Sequence, residues 1–177
     1  LQISADNNLG GAGTGKSRTL RTMLEVACKL YGDDRVLVTG TTGPAAAQEL
    51  AREGPSPTIT DTDGDEAEAA AAAIRAEGRK AEARRQDVAD EAAWAALIAD
   101  IVAREGKLDI LVNNAGMGFL KSVVDTNLAE WQRLMAVNLE SVFLGVRAGI
   151  EAMKDKGGVI VNVASIAANV AEPLFPA

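Results

Sequence analysis

The chain of 177 residues has no histidine and one cysteine, Cys28. Without histidine there can be no histidine-based catalytic triad and no histidine-ligated metal. A lone cysteine excludes a disulfide framework and a thiolate metal cluster, so no metal site is expected. Aromatic residues are also scarce, at 3% against 47% hydrophobic residues in all, and the core must therefore be built from Ala, Val, Leu and Ile. Basic excess is missing too: a net charge of −7 leaves no footprint for nucleic acid or an anionic membrane. No stretch approaches the roughly 18 apolar residues of a membrane span, and the first residues lack the basic-then-apolar pattern of a secretory signal, so a soluble cytoplasmic protein is expected. The length suits one α/β domain with a proper core rather than two.

What is present centres on residues 108–116, Leu-Asp-Ile-Leu-Val-Asn-Asn-Ala-Gly. Ile110, Leu111 and Val112 form the unbroken apolar run of a strand buried on both faces of a parallel sheet. Its end is amide-rich. Side chains at the carboxyl end of such a strand sit where open α/β sheets bind ligands, and Gly116 lets a backbone or a ligand come close. Asn113 and Asn114 either serve that site or tie neighbouring strands together by hydrogen bonds.

Residues 10–17 read Gly-Gly-Ala-Gly-Thr-Gly-Lys-Ser and satisfy the G-x-x-x-x-G-K-[ST] pattern. Glycines there turn backbone N–H groups toward phosphate oxygens, Lys16 reaches the outer phosphates and Ser17 can ligate magnesium. With a helix at 19–31 ended by Gly32, residues 1–34 form a P-loop-like segment that resembles the start of P-loop helicases. A working triphosphatase also needs a carboxylate at the tip of another apolar strand, and the candidate strands end at Gly40, Asn113 and Ser165 instead. An ATP- or GTP-binding protein using Gly15, Lys16 and Ser17 with magnesium is thus one alternative; a non-catalytic hybrid α/β scaffold is another.

From residue 35 onward the elements alternate. Strands are expected at 36–38, 58–60 and 80–85, with helices at 45–53 and 66–77 and a third capped by Asp90 and ended by Gly106. The helix at 66–77 has Ile74 as its single large apolar residue and is expected to lie lightly on the surface. A long helix spans 128–153, its apolar stripe being Trp131, Leu134, Met135, Leu139, Val142, Val146 and Ile150. Asn138 falls inside that stripe, and a buried amide needs a partner.

Asn-Asn-Ala-Gly at 113–116, then the long helix with Asn138, then a strand at 158–164 ending in Ser165, resembles the short-chain dehydrogenase/reductase family from about Val36 onward. The resemblance implies a Rossmann-like doubly wound, mainly parallel α/β sheet with helices on both faces, its strands in the order third, second, first, fourth, fifth. Residues 35–177 would be a dinucleotide-binding domain, and the implied activity is hydride transfer between a nicotinamide cofactor and a small-molecule alcohol or carbonyl, with homo-oligomers a possibility of the full family fold.

Cofactor contacts follow residue by residue. Gly40 and Gly43 would form the glycine turn, although their spacing is one residue short of T-G-x-x-x-G-x-G and Pro44 removes a donor. Asp61 would accept from the adenosine ribose hydroxyls and repel a 2′-phosphate, which favours NAD over NADP; otherwise Asp61, Asp63 and Asp65 form a polar turn capping the next helix. By resemblance Asp87 accepts from the adenine amino group, Val88 packs on the ring, and Asn114, Ala115 and Gly116 face the cofactor. The bland alternative makes Asp87 a loop residue and Val88 core. The catalytic residues implied are Ser165, bonded to the substrate oxygen, and Asn138, holding a relay water unless the backbone satisfies it. The Tyr-x-x-x-Lys pair that completes the family's set has no counterpart, since the only tyrosine is Tyr31 and no lysine follows Lys156. A truncated domain with little turnover of its own is expected.

Overall fold

Three runs of branched aliphatics supply three neighbouring strands of the sheet. Residues 36–38 lie in β1 (Arg35–Thr39), 110–112 in β4 (Ile110–Asn113) and 159–161 in β5 (Val159–Asn162). Runs of this kind have no polar face because the sheet is covered on both sides. With β2 (Ser56–Asp61) and β3 (Glu82–Arg85) they form a five-stranded sheet in the order β3-β2-β1-β4-β5, every pairing parallel. The structure is a computed structural model that describes residues 35–39 and 56–164. Its strand order is the expected one, and the fold is Rossmann-like α/β. β3 reads Glu-Ala-Arg-Arg, a weak strand sequence, and it sits at an edge where a polar face is tolerated.

Helices cover both faces. α1 (Gly64–Ala76) starts at Asp63, whose carboxylate accepts the Asp65 N–H at 2.9 Å. It packs Ala67, Ala70, Ala71 and Ile74 against the face carrying Ile59, and all four are buried. The helix therefore does not lie lightly on the surface, as its composition led us to expect: alanines bring it close to the sheet, and Ile74 is wholly enclosed. α2 (Glu91–Glu105) is capped by Asp90, which accepts from Ala92 and Ala93, and ends at Gly106 with φ +80°, a conformation glycine adopts without strain. Trp94, Leu97, Ile98 and Ile101 bury its inner stripe on the opposite face, against Leu37 and Leu111.

The expected long helix is continuous but not uniform. α3 (Leu128–Met135) passes through one π-helical turn (Ala136–Glu140) into α4 (Ser141–Met153). Its stripe is also corrected. The buried positions are Leu134, Val137, Ser141, Gly145, Gly149 and Met153, whereas Leu139, Phe143 and Ile150 are more than half exposed. The π turn adds a residue and resets the face, and beyond it small residues face the sheet because the helix backbone lies almost on it. A Cβ on Gly145 would come within 2.8 Å of the Trp94 ring and overlap Asn113 Oδ1. No helix among the described residues is long and apolar enough to cross a membrane.

Candidate functional site

Parallel strands end on one rim, here at Thr39, Asp61, Arg85, Asn113 and Asn162. Beside it opens a cavity of about 270 Å³ between the ends of β2 and β3, the segment after β4, and α3 with its π turn. Five residues singled out from the sequence line it together: Asp61, Asp87, Val88, Ala115 and Gly116. Thr62, Gln86, Met117, Arg133 and Val137 complete the lining and were not foreseen. A signal for the last two exists, since Arg133 and Val137 are four apart and share a helix face just before Asn138.

Each wall is held in place by identifiable bonds. The Asp61 carboxylate accepts the Asp63 N–H at 2.8 Å and the Thr62 hydroxyl at 3.2 Å, and the Asp61 carbonyl accepts the Gln86 N–H at 2.8 Å. The polar-turn reading of this segment is realised: Asp63 caps the helix and Asp61 orders the turn, while Asp61 also lines the cavity. Beneath them the buried Thr60 hydroxyl donates to Gln86 Oε1 at 2.9 Å and links β2 to the end of β3. Asp87 Oδ1 accepts the Ala89 N–H at 3.0 Å, and its Oδ2 accepts from Arg133 Nη1 at 3.3 Å. The Val88 carbonyl accepts the indole N–H of Trp94 at 2.8 Å, so the best-buried aromatic of α2 anchors the cavity wall.

The asparagines divide their work. Asn113 Nδ2 donates to Asn162 Oδ1 at 2.9 Å and ties β4 to β5. Asn114 is buried, its backbone N–H donating to the Thr39 hydroxyl at 3.3 Å; that hydroxyl donates in turn to the Val112 carbonyl at 3.2 Å. Asn114 does not line the cavity, while its neighbour Ala115 does. Asn138 is exposed rather than buried, and the backbone satisfies it: Oδ1 accepts the Met117 N–H at 2.8 Å and Nδ2 donates to the Met117 carbonyl at 2.9 Å. It lies in the π turn, where the Ser141 N–H reaches back five residues to the Ala136 carbonyl. Gly40, Gly43, Ser165 and the P-loop motif at 10–17 lie outside the described residues.

The chemistry of this cavity is specific. Val88, Ala115 and Val137 offer apolar surfaces to a flat ring, and two carboxylates at the rim offer acceptors to N–H and O–H donors. At about 270 Å³ the space is a little under the roughly 300 Å³ at which typical ligand sites begin.

These features define a Rossmann-like α/β protein with a crevice at the carboxyl rim of its sheet. The model of the short chain dehydrogenase family matches residues 34–177, and the chain belongs to that family. It is 43% identical over 145 residues to cyclopentanol dehydrogenase of Comamonas sp. (strain NCIMB 9872), an alignment covering 80% of this chain and 58% of that one. It is 38% identical over 143 residues to 3-beta-hydroxysteroid dehydrogenase of Comamonas testosteroni, covering 81% and 47%. Among solved structures, a short chain dehydrogenase from Mycobacterium smegmatis superposes with a TM-score of 0.75 at 34% identity, covering 81% of this chain and 63% of that one. The chain therefore spans about half the length of the curated relatives it matches. These relatives are oxidoreductases and lend no support to the P-loop reading of residues 10–17.

Proposed function

We propose that the protein is an NAD-dependent oxidoreductase that exchanges hydride between the nicotinamide cofactor and a small secondary alcohol or its ketone. The observation that carries the reading is the pair of carboxylates, Asp61 and Asp87, flanking the apolar slot of Val88, Ala115 and Val137. Asp87 accepts from the adenine amino group and Asp61 from the ribose hydroxyls. A 2′-phosphate would meet the Asp61 charge, which favours NAD over NADP. The names of the relatives, a cyclopentanol and a hydroxysteroid dehydrogenase, support a hydroxyl on an alicyclic ring as the substrate group.

Bound nicotinamide supplies the hydride donor or acceptor. Ser165, three residues beyond the end of β5, hydrogen-bonds the substrate oxygen and orients it. Asn138 holds the 115–117 segment against the cofactor, and its amide retains one hydrogen and one lone pair for a water. Neither residue is a general acid, so binding is the proper readout for this chain. On addition of protein, the fluorescence of NADH is expected to rise with saturation, and NADPH is expected to bind more weakly. Asp61→Ala should weaken NADH by about tenfold or more, the worth of hydrogen bonds to a charged acceptor. Equal affinity of wild type and variant for NADH contradicts the role of Asp61, and an unchanged NADH signal contradicts the function.

A further inference from the structure

Arg133 is a cavity-lining residue that the reading above leaves without a role. It projects from the last turn of α3, and among the described residues its side chain hydrogen-bonds Asp87 Oδ2 at 3.3 Å. Both side chains are close to half exposed, at 47% and 43%, and a pair so exposed contributes little to stability. Its effect must be sought on the geometry of Asp87. One carboxylate oxygen is already fixed by the Ala89 N–H at 3.0 Å, and Arg133 fixes the other. Each oxygen keeps a further lone pair. Bonds at both ends restrict the rotation of this carboxylate and favour the orientation in which it lines the slot of Val88, Ala115 and Val137.

We propose that Arg133 is a positioning and selectivity residue of this cavity, immobilising Asp87 so that the site accepts a purine carrying a 6-amino group and rejects one carrying a 6-oxo group. The proposal rests on the dinucleotide reading. A 6-amino group donates to the carboxylate. A 6-oxo group sets lone pairs against it, and that repulsion discriminates only while the carboxylate stays in place. Without Arg133, Asp87 is tethered at one oxygen and swings toward solvent, which forfeits part of the bond to adenine and relieves the clash with hypoxanthine.

The test compares NADH, deamino-NADH (hypoxanthine in place of adenine) and reduced nicotinamide mononucleotide, all followed by dihydronicotinamide fluorescence, with wild type, Arg133→Leu and Arg133→Lys. Wild type is expected to prefer NADH over deamino-NADH by about tenfold. Arg133→Leu should weaken NADH several-fold, leave deamino-NADH and the mononucleotide unchanged, and bring the preference close to one. Arg133→Lys, which keeps a donor, should restore part of the preference. Thermal unfolding of each variant reports the fold independently, and because the position is half exposed the midpoints should agree. A preference unaltered in Arg133→Leu, or an equal loss for both dinucleotides, overturns the assignment while leaving the dinucleotide reading intact. Failure of wild type to bind NADH overturns that reading and this proposal with it.

Discussion

The side-chain amide of Asn138 closes on the backbone of Met117 from both ends, accepting its N–H at 2.8 Å and donating to its carbonyl at 2.9 Å. Two peptide groups that would otherwise be free to rotate are thereby fixed, and with them the Ala115-Gly116 wall of the cavity. Asn138→Ala removes both bonds. The expected cost in stability is about 1 kcal/mol, because the exposed groups regain water. The larger effect falls on the site: NADH should bind several-fold more weakly. A variant with wild-type affinity would show that the 115–117 segment holds its shape without the clamp.

Trp94 supports the same cavity from the other side through its 2.8 Å bond to the Val88 carbonyl. Trp94→Phe keeps most of the buried ring and loses the donor, so stability should fall by about 1 to 3 kcal/mol, the range for a stranded buried acceptor. Adenine-containing ligands should weaken while reduced nicotinamide mononucleotide does not. Trp94→Ala should cost about 3 to 5 kcal/mol as a cavity-forming substitution. Urea unfolding gives both values, and a Trp94→Phe variant as stable as wild type would contradict the account of the indole N–H.

Gly145 sits where α4 meets the sheet, and an added Cβ has Asn113 and Trp94 in its way. Gly145→Ala is expected to destabilise by about 1 to 3 kcal/mol despite alanine's better helix propensity. A gain in stability on urea unfolding would mean that helix and sheet can separate at no cost.

This helix shows where reading the sequence falls short. The caps at Asp90 and Gly106 were legible from local rules of helix termination, whereas the order of the sheet and the grouping of Asp61, Asp87, Val88, Ala115 and Gly116 at one site were reached chiefly through the family resemblance. The buried face of α4 was not legible. Burial does not follow size here: close approach selects Gly145 and Gly149, while Leu139 and Ile150 of the expected stripe turn outward. The π turn compounds the error, since one inserted residue shifts the stripe that a uniform helix would continue. Arg133 escaped for a related reason: its pairing with Asp87 joins positions far apart in sequence, and no local pattern encodes it.

Acid should act on the start of α3. Glu130 closes a capping box with Asn127 and receives Lys121; that ammonium and the Asn127 N–H, in that order, hold its pKa below the usual carboxylate value. A carboxyl whose folded pKa is depressed contributes stability that is fully present above its unfolded pKa and lost as pH falls through the folded one. The loss should therefore begin in the ordinary glutamate range and continue below it, not appear near neutrality. Glu130→Gln can still close the box but cannot attract Lys121, so its urea midpoint should change less than that of wild type on acidification. Parallel acid profiles for the two proteins would assign the effect elsewhere. Asn127→Ala, which removes the cap itself, should cost about 1 kcal/mol at neutral pH.

Calorimetric titration of ADP-ribose into wild type and Ala115→Leu most directly tests the claim that an adenosine group occupies the slot between Val88 and Ala115. Ala115 is partly exposed on the cavity wall, so a leucine there fills the slot while the circular dichroism of the sheet and helices stays unchanged. The account predicts saturable binding to wild type and a loss of about tenfold or more in the variant. Equal affinity in the two proteins, or no binding by wild type, would contradict it.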